Sequence, residues 1–310
     1  MEQQVRRLVT RSDFDGLACA MMLKELQLID EIKFVHPKDV QDGKIELSKN
    51  DITTNLPYDP RVSLAFDHHE SEVDRLKAIE TGGKLIIDPK ARSAARVVYD
   101  YYGGKEAFPR ISEDLMAAVD KGDSADFTMD EILDPKGWVL LHYLMDARTG
   151  LGRFHHFRIS NYDLMMQLID YCLDHDIDEI LELPDVKERV ELYFEQAEQF
   201  KAQLRRIARV HDKVVVLDLR KEEVIHAGNR FMIYALYPET EISVHVAWGF
   251  RKQHTAVMIG KSIVNKASQV DIGELCLQYG GGGHRNAGTC QLDNDVVDEK
   301  LPDIIRALNG

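Results

Sequence analysis

Four segments of this sequence carry residue types at spacings that could do chemistry. In the first, Leu8-Val9-Thr10-Arg11-Ser12-Asp13-Phe14-Asp15-Gly16, an apolar run releases two carboxylates two positions apart, ahead of a small residue. In extended chain, positions i and i+2 face the same side, so Asp13 and Asp15 can address one metal cluster at the carboxyl end of a strand. Hard oxygen donors of this kind suit Mg²⁺ or Mn²⁺. An acidic N-cap of the following helix would use the same residues, and this segment alone leaves both readings open.

The second segment, Ala65-Phe66-Asp67-His68-His69-Glu70, again sets polar residues after an apolar strand. Adjacent histidines point in different directions, so one can ligate a metal while the other donates to a substrate phosphate. The third, from Ala117 to Phe127, runs an apolar helix into Asp120, Asp123 and Asp126. One of these acids could complete a metal site; a solvated helix end is the alternative. The fourth, Tyr279-Gly280-Gly281-Gly282-Gly283-His284-Arg285, holds consecutive glycines. Such a run is entropically unfavourable, and its use is close approach of backbone N–H groups to an anion, with His284 and Arg285 adding charge.

The elements that must position these residues alternate in the first third of the chain. Strands are predicted over 7–10, 33–36, 62–66 and 85–87, with a helix over 16–28, which implies an α/β fold whose mostly parallel sheet is flanked by helices. From 93 to 209 the pattern is helical, and over 186–210 Val190, Tyr193, Phe194, Ala197, Phe200 and Leu204 recur at helical spacing. Strand-like runs at 213–219, 231–237, 242–248 and 255–259, then a helix at 272–278, predict a C-terminal α+β module. The expected division is a catalytic domain over 1–185, a connecting helix over 186–212 and a substrate-binding domain over 213–310.

At 310 residues, 44% hydrophobic and 30% charged, the chain reads as globular and long enough for two domains. Its net charge of −14 disfavours coating of long nucleic acid, which needs clustered Lys and Arg. A small anionic substrate remains compatible, because a bound divalent ion supplies local positive charge. No stretch approaches the roughly 20 apolar residues of a membrane span, so a cytoplasmic protein without membrane partners is expected. Cys19, Cys172, Cys276 and Cys290 are scattered and suggest neither a zinc ribbon nor a disulfide framework. His142, His155 and His156 show no ligand spacing and read as structural or surface histidines.

Taken in order, Asp-x-Asp-Gly, Asp-His-His and a distal Gly-Gly-Gly-His-x-x-Ala-Gly resemble the DHH/DHHA1 phosphoesterase family, especially its exopolyphosphatase-related branch. The resemblance spans nearly the whole chain. It implies an N-terminal DHH domain, a C-terminal DHHA1 domain and two Mn²⁺ ions, with Mg²⁺ as the substitute. Asp13, Asp15 and His68 then match metal ligands, and Asp123 matches the fourth-motif ligand ahead of Asp120. The family's bridging aspartate falls on Asn55, with Asp51 as the alternative. His69 matches the substrate contact, and Asp67 is expected to orient the imidazoles. In the C-terminal module Lys261, His284, Arg285 and the amides of Gly281, Gly282 and Gly283 would hold phosphate.

One departure from the family pattern stands out. Arg11 occupies the place of a usual His or Asp ligand, and a guanidinium cannot ligate a cation. Arg11 is therefore expected to replace part of a metal's charge and grip a phosphoryl oxygen. The resemblance implies in-line attack of water on phosphorus, with the C-terminal module closing over a recessed cleft that favours short molecules. A linear dinucleotide or few-nucleotide RNA, cleaved to mononucleotides, is the expected substrate. Polyphosphate or pyrophosphate hydrolysis is the alternative enzyme reading, and a non-catalytic nucleotide-binding regulator is the alternative outside enzymes. A homodimer is left open.

Overall fold

The computed structural model describes residues 6–77, 81–154 and 156–310, so His155 lies outside the described residues. The first elements in chain order are β1 (Arg7–Arg11), α1 (Phe14–Glu25), β2 (Glu31–Val35), α2 (Pro37–Gln41), β3 (Asp51–Thr54), β4 (Leu64–Asp67), α3 (Glu70–Leu76) and β5 (Leu85–Ile87). A helical stretch follows: α4 (Ala94–Tyr102), α5 (Glu113–Asp123), α6 (Met129–Leu133), α7 (Gly137–Met145), α8 (Asn161–Asp174), α9 (Ile177–Glu182) and α10 (Pro184–Ile207). The chain closes with β6 (Ala208–His211), β7 (Val214–Asp218), α11 (Met232–Leu236), β8 (Ile242–Trp248), β9 (Thr255–Lys261), α12 (Ile272–Gln278), β10 (Gly282–His284), β11 (Ala287–Leu292) and α13 (Val297–Asn309).

Two compact units result. One comprises Met1–Asp126, Lys136–Ala147 and Gly152–Glu191; the other comprises Phe127–Pro135, Arg148–Leu151 and Leu192–Gly310. The boundary between them falls inside α10.

In the first unit all five strands are parallel, in the order β2-β1-β3-β4-β5. The strand order reverses at β1, and in open α/β sheets the crevice beyond the carboxyl ends at such a reversal is the usual ligand site. Val9, Val35, Val62, Ala65 and Leu76 share one buried cluster. α1 is buried from Phe14 to Leu23, and a helix that is apolar all round is one that sits wholly inside a fold.

The second unit carries a six-stranded mixed sheet in the order β10-β11-β9-β8-β7-β6. Only β7 and β8 pair in parallel. Val244, Val246, Val257 and Ile259 turn one face into a core closed by Ile272 and Cys276 of α12 and by Ile304 and Leu308 of α13.

Two expectations need correction. The apolar run 231–237, expected as a strand, is the short helix α11. Phe231, Met232, Ile233 and Tyr234 are all buried, so the run has no polar side to betray its period. Asn229 starts it, accepting from the Phe231 amide at 3.1 Å and donating to the Ile132 carbonyl and the Tyr193 hydroxyl, each at 3.0 Å. The long helix also ends at Ile207 rather than 210, because β6 begins at Ala208 and pairs with β7. All four cysteines are buried and free, and no helix among the described residues is long and apolar enough to cross a membrane.

Candidate active site

The first ligand segment is fixed by a turn only glycine allows. A Cβ on Gly16 would lie 2.0 Å from the Arg11 carbonyl oxygen and 2.8 Å from Thr10 Oγ1. With that approach made, Asp13 N-caps α1 through Oδ1, which accepts from the Gly16 amide at 3.0 Å. Its Oδ2 meets Arg11 Nε at 2.8 Å. Asp15 points inward, 2% exposed, and its carboxylate accepts from the Ala94 and Ala95 amides at 3.1 and 2.7 Å. Those amides belong to the first turn of α4, where Ser93 Oγ caps the helix by accepting from the Arg96 amide at 3.0 Å.

β4 delivers the second segment. Asp67 is 2% exposed; its Oδ1 accepts from His69 Nδ1 at 2.7 Å and from the His68 amide at 2.8 Å. This pins the half-exposed His69 ring, a carboxylate-imidazole arrangement that sets which nitrogen faces outward. His68 sets its Nδ1 3.2 Å from the Ala91 carbonyl and its Nε2 2.9 Å from Asp123 Oδ2 at the end of α5.

Charge concentrates here. Burial drives the Asp15 carboxyl well above its usual range, and the nearby Asp123 and Asp13 carboxylates push the same way. For His68, burial works against protonation, but Asp123, Asp15 and Asp67 prevail and raise it to about 9. Burial would raise Asp123, but His68 more than offsets it and holds that carboxyl below its usual range. Ligand atoms of Asp15, His68 and Asp123 lie within 4.8 Å of one another, as do those of Asp67, His68 and His69.

Asn55 follows the end of β3 with φ 54, in the left-handed region. It is 2% exposed, and both its side-chain Oδ1 and Nδ2 lack a hydrogen-bond partner among the described residues. A buried amide without partners is strongly unfavourable unless something else satisfies it. The backbone amide of Asn55 donates to the Phe66 carbonyl at 3.1 Å, on the strand that leads into His68. The buried Asp15 with the half-buried His68 and Asp123 is a donor set that could hold a divalent cation, to which Asn55 Oδ1 could add a neutral oxygen.

The two reserve acids are committed elsewhere. Asp51 lies at the opposite end of β3, paired with Arg7 Nε at 2.7 Å and capped by the Ser48 amide at 2.6 Å. Asp120 takes Ser93 Oγ at 2.7 Å and Arg96 at 2.7 Å, a brace between α5 and α4. Sequence reasoning missed this brace and the α4 amides that hold Asp15. The signal was present in Ser93-Ala94-Ala95-Arg96, a cap residue before a helix. His142 is buried against α5, where its Nδ1 would stand 2.4 Å from a Cβ on Gly122.

In the second unit the glycine run needs a corrected explanation. A Cβ on Gly281 would lie 2.2 Å from the Thr289 carbonyl oxygen, and one on Gly283 would lie 2.3 Å from that of Ala287. Two of the glycines therefore exist to let the β10–β11 hairpin close on itself. The Gly281 amide already donates to the Cys276 carbonyl at 2.9 Å, ending α12, so it is not available to an anion. Gly282 has no atom within 4 Å of a built Cβ, and His284 and Arg285 are exposed beside it. Lys261 Nζ reaches the Ser268 carbonyl at 3.2 Å, and its pKa is lowered by burial and then by Arg285. Lys261 and Arg285 form a local positive site in an acidic chain.

Carboxylates and an imidazole collected beyond the carboxyl ends of parallel strands, and a glycine-histidine hairpin on a second sheet, define a phosphoesterase; the chain belongs to the DHH/DHHA1 phosphoesterase family. It is 55% identical to PggH, the pGpG-specific phosphodiesterase of Vibrio cholerae, with a TM-score of 0.84 over 98% of this chain and 99% of that one. The fold is also that of Thermus thermophilus RecJ, solved with Mn²⁺, at 14% identity and a TM-score of 0.53 over 99% of this chain and 52% of RecJ. CDC45 of Entamoeba histolytica shares it at 8% identity and a TM-score of 0.51, over 99% of this chain and 95% of that one. No protein-family model and no curated protein matches the chain.

Proposed function

We propose that this chain is a metal-dependent phosphodiesterase that hydrolyses linear dinucleotides, pGpG first among them, to mononucleotides. The observation that carries this reading is the full-length likeness, at 55% identity, to a pGpG-specific phosphodiesterase. The cluster of Asp15, His68 and Asp123 supports the metal dependence. Mn²⁺ is the proposed ion, with Mg²⁺ able to replace it; the RecJ structures hold one or the other.

A divalent cation bound there would supply positive charge against the phosphoryl oxygens and make water acidic enough to attack at neutral pH. The protein's own groups do the rest. With Nδ1–H donating to Asp67, His69 turns Nε2 outward, where the ring, once protonated at both nitrogens, donates to a non-bridging phosphoryl oxygen. Arg11 lies beside Asp13 and brings a fixed positive charge toward the same oxygens. Asp13, tied to the Gly16 amide and to Arg11, is the weaker ligand, so one tightly held ion is proposed, with Arg11 standing in for part of the charge of a second. Anomalous scattering would count the ions; two fully occupied sites with Arg11 turned away would overturn that arrangement. In the second unit Lys261, His284 and Arg285 are the proposed phosphate contacts. The division of labour is catalysis over 1–185 and substrate binding over 213–310, in a cytoplasmic protein.

Linear dinucleotide, cyclic dinucleotide, polyphosphate and pyrophosphate, assayed side by side with Mn²⁺, test the reading. Turnover of the linear dinucleotide at least about a hundredfold faster than the others, in kcat/KM, is expected. Faster polyphosphate or pyrophosphate turnover would favour the alternative enzyme. Tight binding of a nucleotide with no turnover would favour a regulator.

A further inference from the structure

Asp15 and Asp123 repel each other, yet the fold keeps them close. Ligand atoms of Asp15, His68 and Asp123 lie within 4.8 Å of one another. Burial first, and then the Asp123 and Asp13 carboxylates, push the Asp15 carboxyl upward. Like charges so placed favour moving apart. The two acids are also held by different helices. Asp15 is bonded to the Ala94 and Ala95 amides at the start of α4, while Asp123 is the last residue of α5. Amides in a first helical turn have no partner within their own helix, so these two are free to serve Asp15. Keeping the acids together requires keeping the start of α4 against the end of α5.

One residue makes that junction. Asp120 lies one turn before Asp123 on α5 and is 6% exposed. Its Oδ1 accepts from Ser93 Oγ at 2.7 Å, and its Oδ2 accepts from Arg96 Nε at 3.0 Å and Nη2 at 2.7 Å. Ser93 is wholly buried and directly precedes Ala94, so this bond lands beside the amides that hold Asp15. The main chain of Asp120 secures the other acid. Its carbonyl accepts from the Ser124 hydroxyl at 2.6 Å and from the Ser124 amide at 3.1 Å, on the residue next to Asp123. A buried ion pair is weak evidence for stability, since apolar groups of similar volume often serve as well. Its other use is to fix geometry, and here both of its ends adjoin a candidate ligand.

We propose that Asp120 is a positioning residue of the metal site, acting through Ser93, Arg96 and Ser124 to hold Asp15 and Asp123 at the spacing a divalent cation needs. Its own oxygens are committed to Ser93 and Arg96, so it shapes the site without ligating the ion. The inference rests on the metal-dependent reading above.

The test uses the full chain, with Arg189→Met as a control. Arg189 is a buried guanidinium in the same unit, bonded to the Ile159 carbonyl at 2.8 Å and to Asn161 at 3.0 Å, so its loss disturbs packing away from the α4–α5 junction. With chelator present, amide exchange at Ala94 and Ala95, followed by NMR, should quicken at least about tenfold relative to Val9 in Asp120→Ala, and not in the control. Affinity for Mn²⁺, read from the paramagnetic resonance of the free ion, should fall about tenfold in Asp120→Ala and stay within about twofold in the control. Asp120→Asn keeps the shape and an acceptor for Ser93, and should show both changes at smaller size. Unmoved exchange at Ala94 and Ala95 in the Asp120 variants would overturn the proposal, as would affinity losses equal to that of the control. A wild-type chain that takes no Mn²⁺, while Asp120→Ala still quickens that exchange, would sink the metal-dependent reading and leave the positioning of Asp15 standing.

Discussion

The imidazole of His68 turns toward Asp123 the nitrogen that a metal would use: Nε2 lies 2.9 Å from Asp123 Oδ2, an ion-pair distance, while Nδ1 faces the Ala91 carbonyl at 3.2 Å. Proton and cation therefore compete for one atom. With the ring held protonated up to about 9 in the absence of metal, affinity for Mn²⁺ should rise with pH toward that value, and binding at neutral pH should release a proton. Titration calorimetry in two buffers of different ionisation enthalpy should give different apparent enthalpies. Identical enthalpies would contradict the competition.

The same pair sets a stability slope in metal-free protein. A histidine whose folded pKa is raised from 6.5 to about 9 binds its proton more tightly when folded. Its contribution is fully present below 6.5 and is lost as pH rises through about 9. Urea unfolding with chelator should show stability falling across that window, and Asp123→Asn should flatten the slope.

Adjacent histidines should fail differently. His68→Gln should lose bound Mn²⁺, measured by mass spectrometry of the native protein. His69→Gln should keep its metal and lose kcat, by about a hundredfold or more, because its Nε2 acts on substrate. Asp67→Asn should fall between them, losing about tenfold to a hundredfold through the His69 ring it orients.

Gly16→Ala must displace backbone, since its Cβ would stand 2.0 Å from the Arg11 carbonyl oxygen. A loss of about 1–3 kcal/mol in urea unfolding is expected, from forced overpacking. Metal binding should weaken with it, because Asp15 directly precedes the displaced residue and Asp13 bonds its amide.

Asn55→Asp keeps the shape and adds a charge at a position whose left-handed backbone both residues tolerate. If the amide oxygen faces the cation, the aspartate should tighten Mn²⁺ binding about tenfold or recruit a further ion. Unchanged affinity and stoichiometry would remove Asn55 from the ligand set.

What was legible in the sequence follows from period and position. β5 and α12 were read at their observed bounds, and the ends of β1 and β4 within a residue, because apolar runs there stop at polar or turn residues. β3 was hidden by its composition, Asp51-Ile52-Thr53-Thr54, which carries polar side chains at fully buried positions. Thr54 Oγ1 satisfies itself on Thr10 Oγ1 at 2.7 Å, a partner no local pattern announces. The same holds in the site. The pairing of Asp120 with Arg96, which removes a candidate ligand, and the Gly281 amide bonded to Cys276 are tertiary facts. The ligand types were local, and their commitments were not.

The most direct measurement is hydrolysis of pGpG in ¹⁸O-labelled water with Mn²⁺, followed by mass spectrometry of the products. Water attack on the internal phosphodiester should give two mononucleotides, one of them carrying a single ¹⁸O in its phosphate. Chelation should abolish the reaction and Mn²⁺ should restore it. Turnover by chelated protein, or products free of label, would contradict a metal-dependent phosphodiesterase built on Asp15, His68 and Asp123.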